Sequence, residues 1–98
     1  MTINKTKKDD SLSLAIEGRL DTMSAPQLEE ELKSSLDGVA ELILDLAALE
    51  YISSAGLRVL LSAQKVMNKQ GAMIVRNVND TVREVFEVTG FVDILTIE

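Results

Sequence analysis

The chain has 98 residues, 46% of them hydrophobic and 3% aromatic, with 16 acidic against 10 basic residues and a net charge of −6. That is enough sequence for one domain with an aliphatic core, and its acidity argues against nucleic acid, whose phosphates it would repel, as the main partner. Cysteine and histidine are both absent, which removes disulfides, thiolate nucleophiles, imidazole bases and nearly all zinc sites.

No apolar run approaches the roughly 20 residues that span a bilayer, so direct membrane insertion is not expected. The opening "MTINKTKKDD" carries lysines but no apolar block, unlike a signal peptide. A single cytoplasmic domain over residues 1–98 is the expectation.

In chain order, "TINKTKK" is polar and weakly strand-like, an edge strand whose lysines discourage sheet-to-sheet aggregation. Asp9 and Asp10 read as a hairpin turn. "SLSLAIEG" sets Leu12, Leu14 and Ile16 against Ser11, Ser13 and Glu17, the period of a strand. "SAPQLEEELKSSL" reads as a helix capped by Ser24, with Gln27 completing a capping box and Pro26 in the first turn. Leu28, Leu32 and Leu36 form its buried stripe, and Gly38 stops it.

"ELILDLA" is a nearly continuous apolar run, which predicts a strand covered on both faces. From Ser54 to Lys69 the pattern is helical. Leu57, Leu60, Leu61 and Met67 share one side, while Arg58, Ser62, Lys65 and Lys69 form a basic one. Gly71 ends this helix and "AMIVRNV" returns to strand. "DTVREVFEVTG" is a third helix, capped by Asp80, stopped by Gly90, with Val82, Val85 and Phe86 inward; "DILTIE" is a short last strand or tail. Helices alternating with strands of this length predict an α/β fold on a small, mixed, mostly parallel sheet. Whether the helices cover one face or both stays open at this point.

The carboxyl ends of parallel strands collect functional loops. Two loops stand out: "GRLDTMSAP", with Asp21, Thr22 and Ser24, and "YISSAGL", with Ser53 and Ser54. If their strands are neighbours, the loops converge. A helix N-terminus welcomes a hydroxyl cap or an anion. Gly56 adds no bulk, and Arg58 lies one turn after Ser54. The serines therefore either start a helix and do no more, or one of them takes a phosphate. An enzyme is not expected. No histidine can serve a serine nucleophile, no S-x-x-K spacing follows, and no Gly-rich phosphate loop is present. Asp21, Asp45 and Glu50 fix no metal ligand set.

"GRLDTMSAPQLEEEL" followed by "LILDLAALEYISSAGLRVLL" resembles the STAS domain, specifically stand-alone bacterial anti-sigma-factor antagonists. The resemblance runs from about Ser11 to Glu98. It implies a STAS fold, with helices packed on one side of a small sheet. It implies partner switching: binding to an anti-sigma factor that is also a serine kinase, release on phosphorylation, and reset by a serine phosphatase, with no cofactor. Aligning its D-S-S/T-G-L motif on Gly56 and Leu57 places the phosphorylated serine at Ser54, with Ser53 as the alternative. Asp21 falls on the family's acidic loop position. The implied partner surface comprises Asp21, Thr22, Ser53, Ser54, Gly56, Leu57 and Arg58. The motif departs from the family at Ser53, where an acid is usual, and at Ala55, where a hydroxyl is usual. "SSAGL" also occurs in STAS proteins with other partners, so an unphosphorylated scaffold or regulatory module in another signalling or membrane-associated system is the alternative.

Overall fold

A computed structural model describes residues 1–98. Two strands, β1 (Thr2–Lys8) and β2 (Ser11–Leu20), form an antiparallel hairpin closed at Asp9, whose φ of 56° lies in the left-handed region that turn aspartates tolerate. The remaining elements are α1 (Ala25–Ser35), β3 (Glu41–Asp45), β4 (Leu49–Ile52), α2 (Ser54–Gln70), β5 (Ala72–Arg76), α3 (Asp80–Thr89) and β6 (Thr96–Ile97), with a 3-10 turn at Phe91–Asp93 before β6. The sheet order is β1-β2-β3-β5-β6, and every pair except β1–β2 is parallel.

One strand does double service. Residues Ser11–Ala15 of β2 pair with β3, while Gly18–Leu20 pair with β4. The switch falls at Gly18, where φ is +95° and the register shifts. Such a conformation suits glycine and little else. On the other side of the switch the chain turns between β3 and β4. Asp45 holds that turn, its Oδ1 accepting from the Ala47 N–H (3.0 Å) and from Asn77 Nδ2 (3.1 Å). The acidic-apolar run that reads as one strand and a loop is thus two short strands with a kink between them.

The helices all pack on one face. Leu12, Leu42 and Met73 stand in register across the sheet, as do Leu14, Leu44 and Val75, and all six are buried. With Leu28, Leu32 and Leu36 after β2, Leu57, Leu60 and Met67 of α2, and Val82 and Phe86 of α3, they belong to one cluster of 24 residues. The opposite face carries Ser13, Ile43 and Ile74 in register, and these are only half-buried. This corrects the expectation of a central strand covered on both sides. The apolar run "ELILD" looks continuous only because Ile43 occupies the open face.

Helix caps also differ from the expectation. Ser24 makes no capping bond for α1. Its hydroxyl donates to the Arg19 carbonyl (2.7 Å) and accepts the Asp21 N–H (2.9 Å), so it ties the loop to the strand end instead. At α3 the cap is Asn79, one residue before Asp80: Asn79 Oδ1 accepts the Val82 N–H at 2.9 Å. Leu61 is half-buried where the periodicity placed it inside.

Candidate functional site

The pairing of β2 with β4 brings the two loops together. Leu20 stands opposite Ile52, and the Leu20 carbonyl accepts the Ser53 N–H at 2.9 Å. Asp21 and Ser53, each the next residue along, therefore leave the sheet side by side. Further out, Thr22 of the first loop lines the same concavity as Ala55 and Arg58 of α2.

The first loop is rigid for a local reason. Asp21 Oδ1 accepts the N–H groups of Met23 (3.0 Å) and Ser24 (3.2 Å), a self-closed aspartate turn. The Asp21 carbonyl accepts the Ala25 N–H at 2.7 Å and so leads the chain into α1. The Ser24 N–H, then the N–H of Met23, the Ser24 hydroxyl and the Arg19 guanidinium, outweigh desolvation and hold the Asp21 carboxyl below its ordinary value. Arg19 Nε lies 3.8 Å from Asp21 Oδ2, and its guanidinium sits 4.5 Å from the Tyr51 ring centroid. The chain Tyr51–Arg19–Asp21 ties β4 to the loop after β2.

The second loop contains two serines with opposite fates. Ser53 is the N-cap of α2 in extended backbone, yet its Oγ is sealed from solvent and finds no hydrogen-bond partner. Ser54 is the first helical residue and is exposed. The first-turn N–H groups of a helix have no intrahelical partner, and no side chain caps this one. Arg58 is exposed one turn later and makes no ion pair.

Two other residues implied by the resemblance point inward. Leu57 is 6% exposed and sits in the core. Gly56 is buried against the end of β2 and β4, with no room for a larger residue. Both set how closely α2 approaches the sheet. Sequence reasoning missed Met23, which is 89% exposed at the tip of the Asp21 loop, and the stacked pair Arg19 and Tyr51. Met23 carried one signal: an apolar side chain in a loop, outside any strand or helix period.

Fold and site together define a small α/β domain that brings two loops together at one edge of an open sheet. The chain belongs to the STAS domain family, whose model matches residues 2–98. It is 40% identical over 99 residues to BtrV of Bordetella bronchiseptica, named as a candidate anti-sigma factor antagonist, covering 99% of this chain and 85% of that one. It is 29% identical over 98 residues to the anti-sigma-B factor antagonist of Bacillus subtilis, covering 99% and 90%. Among solved structures, an anti-sigma factor antagonist from Mycobacterium paratuberculosis superposes with a TM-score of 0.88 at 24% identity, over 98% of this chain and 83% of that one. No helix is long and apolar enough to cross a membrane.

Proposed function

We propose that this chain is a cytoplasmic anti-sigma factor antagonist whose binding is switched off by phosphorylation of Ser54. The observation that carries the reading is the contrast between the two hydroxyls: Ser54 is exposed at the start of α2, whereas the Ser53 Oγ is sealed. A kinase can reach only the first. The partner is an anti-sigma factor with serine kinase activity, and a serine phosphatase restores the hydroxyl. The names of the curated relatives support the partner class.

The switch acts on binding rather than on the fold. A phosphate on Ser54 brings about −1.5 to −2 charges. One like-charge contact about 5 Å across a docked interface, at an effective dielectric of about 20, is worth about 3 kcal/mol, or roughly a hundredfold in affinity. The dipole at the start of α2 returns only about 0.3–2 kcal/mol. Repulsion across the interface wins, and the exposed position leaves the core untouched.

Incubation with the purified cognate anti-sigma factor and ATP, followed by mass spectrometry, is expected to locate one phosphate on Ser54 and none in Ser54→Ala. Ser54→Asp is expected to bind the factor about a hundredfold more weakly while melting like the parent. Parental affinity in Ser54→Asp would end the charge-switch reading.

A further inference from the structure

We propose that the Met23 thioether is a redox modification site, and that its oxidation to the sulfoxide weakens docking of the anti-sigma factor without any change at Ser54. The docking half of this rests on the reading of the chain as an antagonist. The choice of Met23 as the oxidised sulfur does not.

Three observations carry it. The first is selectivity. The chain has no cysteine, so its four methionines are all the oxidisable sulfur it holds. Met67 is 0% exposed and Met73 2%, both in the core, and Met1 is half-buried against it. Met23 is 89% exposed. A peroxide must reach a sulfur to oxidise it, so Met23 reacts first and the core sulfurs are shielded.

The second is the loop that carries it. Asp21 Oδ1 accepts the Met23 N–H at 3.0 Å, and the Ser24 hydroxyl donates to the Arg19 carbonyl at 2.7 Å. The backbone is pinned at Met23 and at the next residue, while the side chain takes no part in the core. An oxygen added to the sulfur stands in water in the free protein and leaves the fold as it was.

The third is place. Asp21 and Ser53 leave the sheet side by side, and Thr22 lines one concavity with Ala55 and Arg58 of α2. Met23 follows Thr22 directly, so it belongs to the edge that displays Ser54. A methionine there offers a flexible apolar chain for a partner to bury. The sulfoxide is polar, and its desolvation opposes that burial.

The chemistry balances with hydrogen peroxide as oxidant. A sulfur lone pair attacks one peroxide oxygen, the S–O bond forms as the O–O bond breaks, and the departing hydroxide takes up the remaining proton and leaves as water. Sulfur is oxidised by two electrons and peroxide is reduced. In the reverse direction, a methionine sulfoxide reductase with a dithiol removes the oxygen as water while the two thiols join as a disulfide.

The test treats the purified protein with hydrogen peroxide, removes the excess with catalase, and maps the oxygen by tryptic digestion, which places the four methionines on separate peptides. Met23 is expected to gain one oxygen about tenfold or more faster than Met67 and Met73. Calorimetry then measures binding of the purified cognate anti-sigma factor to the parent and to Met23→Leu, each against its own untreated sample. The oxidised parent is expected to lose about tenfold in affinity and to regain it after treatment with the reductase and dithiothreitol. Met23→Leu is expected to show no response to peroxide, and melting curves are expected to be the same before and after oxidation. Faster oxidation at Met1, Met67 or Met73 would overturn the site. A peroxide response that persists in Met23→Leu would assign the effect to another residue and overturn the switch. Unchanged affinity in parent fully oxidised at Met23, with Ser54→Asp still impaired, would overturn the switch and spare the antagonist reading. Failure of the untreated parent to bind would overturn the antagonist reading and the docking half with it.

Discussion

Gly56 and Leu20 pack so closely that a Cβ built on the glycine would lie 2.7 Å from Leu20 Cγ and 3.0 Å from the Leu20 carbonyl oxygen. The same atom would stand 2.8 Å from Ile52 Cγ1. The start of α2 is thus pressed onto the ends of β2 and β4, and this contact sets the height at which Ser54 is displayed. Gly56→Ala must push α2 outward or force off-rotamer side chains. It is expected to cost about 1–3 kcal/mol in chemical denaturation. Gly71→Ala is expected to cost more, because a Cβ there would collide with the Ala40 backbone carbonyl, which cannot swing aside.

The two helix caps predict opposite outcomes. Asn79 caps α3 through the Val82 N–H and also donates to the Leu49 carbonyl at 2.7 Å, so it joins α3 to β4. Asn79→Ala is expected to lower stability by about 1–2 kcal/mol. The Ser53 Oγ, by contrast, is buried without a partner. Ser53→Ala removes an unsatisfied polar group and is expected to leave stability unchanged or raise it by up to about 1 kcal/mol. Thermal melts of the two variants side by side test the pair.

Asp21 predicts an acid-range effect. Its carboxyl titrates below the ordinary value of 3.8 in the folded chain, first because the Ser24 N–H donates to it. The unfolded chain therefore binds this proton more tightly than the folded one. The stabilisation is fully present above the unfolded value and is lost as pH falls through the folded value. Asp21→Asn keeps an oxygen for the turn but has no proton to bind. Its denaturation midpoint is expected to be less sensitive to acid than the parent's, which a pH series of denaturant titrations measures. Glu31 will leave a residual slope, since its carboxyl is also held low, chiefly by the Ser35 hydroxyl and then by Lys5.

Met23 predicts a separation of binding from stability. At 89% exposure it contributes nothing to the core, so Met23→Ala is expected to change stability by less than about 0.5 kcal/mol. Exposed methionines at an interface bury apolar area when a partner docks. The same variant is expected to weaken binding of the anti-sigma factor by about 1 kcal/mol or more, measurable by calorimetry.

Much of the fold is legible in the residues. The alternation of Leu12, Leu14 and Ile16 marks the buried face of β2, and Leu28, Leu32 and Leu36 are all buried as their spacing predicts. Asp9 and Gly90 end elements in the left-handed backbone that turns use, and Gly71 ends α2 where the Ala40 carbonyl leaves no room for a Cβ. The second half of β2 and the whole of β4 are less legible. Four residues, Leu49–Ile52, are too few to establish a period, and their strand character comes from pairing with Gly18–Leu20. The caps at Ser24 and Asp80 failed for a related reason: which of several adjacent polar side chains reaches an N–H depends on the angle at which the chain enters the helix.

The site divides in the same way. Local sequence determined the ingredients: an exposed hydroxyl at a helix start, a small residue after it, a basic helix face and an acidic loop, since each follows from residue type and spacing within a turn or two. Tertiary structure alone decided that Asp21 and Ser53 emerge side by side, that the Ser53 Oγ is sealed while Ser54 is exposed, and that α1 and α2 leave a groove between them. Those outcomes depend on the register of β2 against β4 and on how closely α2 settles onto it. Both are fixed by contacts between residues more than 30 positions apart, such as Leu20 with Ile52 and with Gly56.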